Sequence, residues 1–128
     1  MKKGRLLVVD DMEDYLRALS RALSRDFDVV TATSLAEAKE KMDDSIELAL
    51  VDVRLSEEDM GNRDGIILLG WLQENYPDVP VIMMSAYRDF DSAVDALNLG
   101  ARKYLKKPIN LQELRETLQE CLSKGATG

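Results

Sequence analysis

Four short predicted strands of this sequence, three of them apolar runs, each lead into polar side chains suited to phosphate or metal chemistry. The clearest run covers residues 48–51 and ends in the carboxylate of Asp52. Two other apolar runs, residues 5–9 and 81–84, end in Asp10 with Asp11 and in Ser85, and the short predicted strand at residues 103–106 leads into Lys107. A short continuous apolar run is typical of a strand buried on both faces of a parallel sheet, and ligands bind beyond the carboxyl ends of such strands. We therefore expect Asp52 to stand on a rigid support at the edge of a crevice.

Three carboxylates that meet at one sheet edge need a cation. Each pair of charges would repel by about 4 kcal/mol at ~4 Å and an effective dielectric constant near 20. Mg²⁺ prefers oxygen ligands from one or two carboxylates, water and phosphate, and a carboxylate beside it can act as a nucleophile that forms an aspartyl phosphate. The Lys107 ammonium and the Ser85 hydroxyl can contact the phosphoryl oxygens. These residue types therefore predict phosphoryl transfer assisted by a divalent cation.

Each of these residues also has an ordinary structural explanation. Asp11 can cap a helix, Ser85 can lie in a turn, and Lys107 can be a solvated surface lysine. The coincidence of all of them at strand ends favours a shared site over separate structural roles.

Strands and helices alternate five times along the chain. Strands are predicted at residues 5–9, 28–32, 48–52, 81–85 and 103–106, and helices at about residues 12–23, 35–42, 66–75, 89–99 and 111–124. Right-handed crossovers then give an α/β fold, a flavodoxin-like doubly wound (βα)5 three-layer sandwich with a parallel five-stranded sheet in the order 2-1-3-4-5. In that order the four strands with polar ends are neighbours, while the second strand, which ends in Ala32 and Thr33, lies at the far edge.

Helix-capping residues set several expected boundaries. Asp11 is predicted to cap the first helix, whose apolar stripe is Met12, Leu16, Leu19 and Leu23. The remaining expected boundary residues are Ser34 and Glu37 as a capping box, Gly100 at the end of the fourth helix, and Asn110 and Gly125 at the two ends of the fifth.

Length and composition predict one globular domain. The chain has 128 residues, which we divide into a domain at 1–124 and a tail or linker start at 125–128. Its net charge of −7 argues against direct nucleic acid binding, and no apolar run reaches the ~20 residues of a membrane span. The single cysteine, Cys121, and the lack of a signal-peptide pattern predict a cytoplasmic protein.

The sequence resembles the receiver domain of two-component response regulators over about residues 3–123. The motifs that carry the resemblance are residues 7–11 (LVVDD), 51–52 (VD), 84–87 (MSAY), 100–105 (GARKYL) and 107–108 (KP). The resemblance implies that Asp52 is the phosphoacceptor and that Asp10, Asp11 and the backbone carbonyl of Arg54 complete a Mg²⁺ or Mn²⁺ site. It also implies that Lys107 contacts the phosphoryl group and precedes a cis peptide bond to Pro108.

The same resemblance implies a conformational switch. Phosphorylated Asp52 attracts the Ser85 hydroxyl, Tyr104 turns inward, and the surface of the fourth helix, fifth strand and fifth helix changes its affinity for partners. Strand alternation should place Lys106 on the face of Tyr104. Implied partners are a histidine kinase or phosphotransfer protein, an output domain or downstream protein, and a phosphorylation-dependent homodimer, with neither nucleic acid nor membrane contacted directly.

Three other protein classes fit the sequence less well. A flavodoxin-type nucleotide binder would need a Ser/Thr/Gly-rich loop where this chain is acidic, and an aspartate-based phosphatase would need an acidic residue at Met12. A pseudo-receiver, which acts as an interaction module without phosphorylation, remains the main alternative. It would usually lack the acceptor, the acidic pair or the lysine.

The sequence departs from the family pattern near the acceptor. The Asp64-Gly65 pair comes late, which indicates an acidic insertion of about five residues within Glu57–Asn62. Arg54, Ala86 and Tyr87 are expected to rim the site and to influence the lifetime of the phosphoryl group.

Overall fold

A five-stranded parallel sheet with helices on both faces forms the centre of the protein, and its order is β2-β1-β3-β4-β5, as predicted. The computed structural model describes residues 4–56, 62–85 and 90–127, except for the side chains of 90–93 and 123–127. The strands are β1 Arg5–Val9, β2 Asp28–Ala32, β3 Leu48–Asp52, β4 Val81–Ser85 and β5 Lys103–Lys106. The helices are α1 Glu13–Leu23, α2 Leu35–Lys41, α3 Asp64–Asn75, α4 Phe90–Asn98 and α5 Leu111–Thr127.

The alternation of side chains along each strand divides the core into two layers. Leu7 and Val9 of β1 belong to a layer that includes residues of α2, α3 and α4, whereas Leu6 and Val8 belong to a layer with α1 and α5. Every residue of β3 and β4 is buried, which explains why these segments are continuous apolar runs. The three-layer architecture therefore follows from apolar side chains on both faces of the central strands.

The start of α1 differs from the prediction. Met12, not Asp11, occupies the N-cap position, and it makes no capping side-chain hydrogen bond. The Met12 N–H instead donates to Asp10 Oδ1 at 2.9 Å. Met12 is also largely exposed, so the buried stripe of the helix begins at Leu16. The N-cap position of α1 therefore lies one residue later than predicted.

Other predicted helix ends agree with the structure, with one exception. Ser34 Oγ accepts from the Glu37 N–H at 3.1 Å, and Asn110 Oδ1 accepts from the Glu113 N–H at 2.9 Å, so both predicted caps are confirmed. Gly100 has φ of 103°, a left-handed conformation that ends a helix readily. The predicted stop at Gly125 is wrong, because the helical backbone of α5 continues to Thr127.

Asn62 and Gly65, which both follow β3 in the chain, contact the backbone of the loop that begins after Asp52. Asn62 Oδ1 accepts from the backbone N–H groups of Leu55 and Asp64, at 2.9 and 3.0 Å, and so joins the two ends of the loop. Gly65 donates its N–H to the Val53 carbonyl at 2.9 Å. Of the predicted insertion, only Asn62 is among the described residues, and 57–61 lie outside them.

None of the helices in the described ranges combines the length and apolar character that a bilayer crossing requires.

A substitution at Gly65 tests this loop geometry. A Cβ at Gly65 would lie 1.9 Å from the Asp52 carbonyl oxygen, whereas a Cβ at Gly70 of the same helix would meet no atom within 4 Å. We expect Gly65→Ala to lower the free energy of unfolding by about 2–3 kcal/mol, because the backbone of β3 must move. Gly70→Ala should raise it by about 0.5–1 kcal/mol, since alanine loses less backbone entropy in a helix. Urea unfolding of both variants checks this, and equal effects at the two positions would contradict it.

Candidate functional site

The sheet order brings the predicted site residues to one edge. β1, β3, β4 and β5 are adjacent, and each delivers its polar residue at its carboxyl end. Asp10 and Ser85 are fully buried, and Asp52 is buried as well. The backbone N–H of Lys107 donates to the Ser85 carbonyl at 2.7 Å, which fixes Lys107 beside β4. The predicted cis peptide bond between Lys107 and Pro108 is present.

The Lys107 ammonium bridges two of the carboxylates. Its Nζ lies 2.8 Å from Asp10 Oδ2 and 2.9 Å from Asp52 Oδ2. The second oxygen of each carboxylate accepts from a backbone N–H: Asp10 Oδ1 from Met12 at 2.9 Å, and Asp52 Oδ1 from Arg54 at 3.3 Å. Both carboxylates are therefore held on two sides, by a side-chain cation and by the chain itself.

Asp11 completes an acidic cluster that could hold a metal ion. One oxygen from each of Asp10, Asp11 and Asp52 lies within 4.8 Å of the others. Asp11 is only partly buried, so it forms the outer side of the cluster. Three carboxylates against one ammonium leave two formal negative charges, and the donor atoms are all hard oxygens. This donor set suits a divalent cation such as Mg²⁺ or Mn²⁺.

Burial and charge change the acidity of the bridged groups. Burial raises the pKa of Asp52 from 3.8 to about 6; the Lys107 charge opposes this shift, while Asp10 adds to it. Burial by itself would lower the pKa of Lys107, but the charge of Asp52 and the hydrogen bonds to both carboxylates outweigh it and raise that pKa. The lysine therefore stays charged at neutral pH, and the acidic cluster resists carrying its full negative charge without a further cation.

The two residues expected to act as switches occupy neighbouring strands. Tyr104 of β5 pairs with Met83 of β4, and Ser85 pairs with Lys106. Tyr104 is half-buried and packs against the core layer that includes α3 and α4 residues. The expected rim residues Ala86 and Tyr87 lie outside the described residues, whereas Arg54 is described and partly exposed beside Asp52.

Tyr15 is a site residue that sequence reasoning missed. The Lys107 Nζ lies over its ring, 4.5 Å from the centroid. Burial raises the pKa of the Tyr15 hydroxyl, and the Lys107 charge acts in the opposite direction. The sequence did contain a sign of this role. Tyr15 lies in the first turn of α1, four residues after Asp11, and that turn begins beside the acidic cluster.

Comparison with known proteins gives a consistent result. The sequence profile described as "Response regulator receiver domain" matches residues 6–119. The DNA-binding transcriptional regulator NtrC of Proteus hauseri is 36% identical over 123 residues, which cover 96% of this chain and 25% of that protein. The response regulator protein PilR of Pseudomonas aeruginosa is 34% identical, over 95% of this chain and 27% of that protein. The chain thus spans about a quarter of the length of these curated relatives.

Solved structures agree with the fold. A CheY-like response regulator receiver domain protein from Methanospirillum hungatei superposes with a TM-score of 0.87 at 28% identity, covering 97% of both chains. The receiver domain of NtrX from Brucella abortus gives a TM-score of 0.82 at 29% identity, over 92% of this chain and 98% of that one. With the profile match over residues 6–119, these likenesses identify the chain as a member of the response regulator receiver domain family of two-component systems.

Proposed function

We propose that this domain is a phosphorylation-dependent signalling switch in which Asp52 accepts a phosphoryl group from a phosphohistidine. The observation that carries the proposal is the Lys107 ammonium within 2.9 Å of both Asp10 and Asp52, with Asp11 in the same cluster. Asp52 is the candidate nucleophile because it ends the central strand β3 and is 7% exposed, whereas Asp10 is fully buried. The donor would be a histidine kinase or a phosphotransfer protein.

In the proposed reaction, an Asp52 carboxylate oxygen attacks the donor phosphorus. A new O–P bond forms while the P–N bond to the donor imidazole breaks, and the electron pair of that bond leaves with the imidazole nitrogen. Lys107 is placed to bind a developing phosphoryl charge, and the Ser85 hydroxyl is a candidate donor to another phosphoryl oxygen. The product is an acyl phosphate, whose slow hydrolysis restores the carboxylate, so the domain acts on itself and turns over no external substrate.

Asp10, Asp11, Asp52 and the backbone carbonyl of Arg54 would hold the divalent ion. A bound Mg²⁺ or Mn²⁺ would neutralise the two excess negative charges of the cluster and polarise the phosphoryl group. The protein residues contribute a preformed arrangement, since the Met12 and Arg54 N–H groups already orient the two buried carboxylates.

The switch would connect the acceptor to a partner surface. Ser85 ends β4 and Tyr104 lies one strand away, so movement of the hydroxyl toward a phosphoryl group would change the space available to the aromatic ring. The surface of α4, β5 and α5 carries apolar side chains exposed by more than 40%, namely Val94, Leu97 and Leu111. Such side chains suit contact with an output domain, a downstream protein or a second copy of the domain.

We further propose that the domain works in the cytoplasm and extends over residues 1–124, although the helical backbone of α5 continues past this boundary to Thr127. The negative charge of the chain favours protein partners over nucleic acid for this segment.

Phosphorylation by a small donor tests the proposal directly. With acetyl phosphate and Mg²⁺, the wild type should gain one phosphoryl group, read by intact mass under acidic conditions. Asp52→Ala should gain none, because the nucleophile is gone. Lys107→Met should react at least about 100-fold more slowly, since its charge is lost at the transition state, whereas Lys106→Met on the neighbouring position should match the wild type.

Omission of Mg²⁺ should abolish the gain. A wild type that gains no phosphoryl group and does not bind beryllofluoride would contradict the proposal and favour a pseudo-receiver that acts by contacts alone.

The raised pKa of Asp52 predicts an unusual pH dependence of stability without metal. Below about pH 4 the carboxyl is protonated in both the folded and the unfolded protein, so Asp52→Asn should have little effect. Between about pH 4 and 6 the unfolded chain releases this proton while the folded protein keeps it, so the wild type loses stability relative to Asp52→Asn. At pH 7 the variant should be more stable by about 1–3 kcal/mol.

Urea unfolding in chelator at several pH values measures this difference, and added Mg²⁺ should reduce it by stabilising the wild type. Asp43→Asn is the control with the opposite sign, because hydrogen bonds from Ser45 lower the pKa of Asp43. That variant should be less stable than the wild type at neutral pH, with the loss disappearing in acid. A stability gain for Asp52→Asn that is independent of pH would count against the assigned electrostatics.

A further inference from the structure

Tyr15 encloses the side of the Lys107 ammonium that the carboxylates leave open. The ammonium donates to Asp10 and to Asp52, and its Nζ lies over the Tyr15 ring at 4.5 Å from the centroid. Only 19% of the lysine side chain is exposed. An ammonium in this position interacts favourably with the electron-rich face of the ring, and more so where water is excluded.

Tyr15 is itself held in place from two directions. Its ring packs against the core layer that includes α1 and α5 residues, as does Ile109, two residues beyond Lys107, whose backbone lowers the pKa of the Tyr15 hydroxyl. Further along the same interface, Arg115 of α5 donates to the Ala22 carbonyl of α1 at 2.9 Å. The first turn of α1 is thus joined to the segment that carries the lysine, and the ring position does not depend on Lys107 alone.

We infer that Tyr15 is a positioning residue that holds the Lys107 ammonium between Asp10 and Asp52. In the metal-free protein this opposes metal entry, because the lysine occupies one oxygen of each of two carboxylates that would also bind the ion. During phosphotransfer the same ring keeps the ammonium directed at the acceptor. The inference rests on the proposed function for its second part, but the first part concerns only the lysine and the metal.

The contribution of the ring can be separated from that of the hydroxyl and from general packing. Tyr15→Leu removes the ring, whereas Tyr15→Phe keeps it and loses only the hydroxyl. Tyr76→Leu is the matched control, since Tyr76 is another partly buried tyrosine, which packs in the other core layer against Trp71. All variants are first compared with the wild type by urea unfolding.

Magnesium affinity is the decisive measurement. We expect Tyr15→Leu to lower the dissociation constant for Mg²⁺, followed by calorimetry or NMR titration, by about 2- to 5-fold, because a loosened lysine competes less well for the carboxylates. Tyr15→Phe and Tyr76→Leu should remain within about 1.5-fold of the wild type. In a Lys107→Met background, Tyr15→Leu should not change the Mg²⁺ dissociation constant further, because Tyr15 is proposed to act only through the lysine. A dissociation constant that rises or stays unchanged in Tyr15→Leu would overturn the inference, since loss of packing alone would disorder the carboxylates and weaken binding.

Phosphorylation by acetyl phosphate at saturating Mg²⁺ tests the second part. Tyr15→Leu should react about 3- to 10-fold more slowly than the wild type, and Tyr15→Phe should restore most of the rate. Tighter Mg²⁺ binding with an unchanged rate would overturn the role in phosphotransfer. A wild type that gains no phosphoryl group at all would refute the proposed function, while the magnesium comparison would still decide whether Tyr15 positions Lys107.

Discussion

The bridge from the Lys107 ammonium to Asp10 and Asp52 is the interaction on which the rest of the site depends. Two buried carboxylates, with a third beside them, would repel one another strongly if no cation lay between them. The lysine compensates part of that charge, but the removal of its ammonium from water costs free energy. The ion pairs are therefore favourable only if their geometry is good and the remaining polar atoms are hydrogen-bonded. The backbone N–H groups and the Tyr15 ring supply that geometry.

The sheet provides the rigidity that such an arrangement needs. Asp52 ends a strand that is buried throughout, and Lys107 is tied to Ser85 through the backbone. Close packing of Gly65 on the Asp52 carbonyl then fixes the direction in which the chain leaves β3. A shift of β3 would therefore move the carboxylate, the loop and the start of α3 together.

The described polar contacts between the α3 and α4 regions lie at the protein surface. Among the described residues, Arg63, which precedes α3, forms an ion pair with Asp95 of α4, and Gln73 of α3 donates to the carbonyl of Gly100, which follows α4, at 2.7 Å. Both involve exposed side chains, and exposed ion pairs contribute little stability. Breaking these two contacts would therefore cost little free energy, which is compatible with the proposed change of the α4 surface.

The sequence by itself determined the sheet order, the two-layer core and the meeting of Asp10, Asp52, Ser85 and Lys107, because apolar runs and their polar ends are local patterns. It also gave the caps at Ser34 and Asn110, whose partners lie three residues away. Only the tertiary structure decided that Lys107 bridges one oxygen of Asp10 and one of Asp52, that Asn62 closes the loop after Asp52, and that Tyr15 covers the ammonium. The contacts of Lys107 join segments far apart in the chain, so their distances depend on how the strand ends and α1 come together, which no local pattern encodes. The contact of Asn62 with Leu55 spans seven residues and depends on the path of the loop. The start of α1 is different, because the contact between the Met12 N–H and the Asp10 carboxylate spans only two residues and the helix-capping pattern did not predict it.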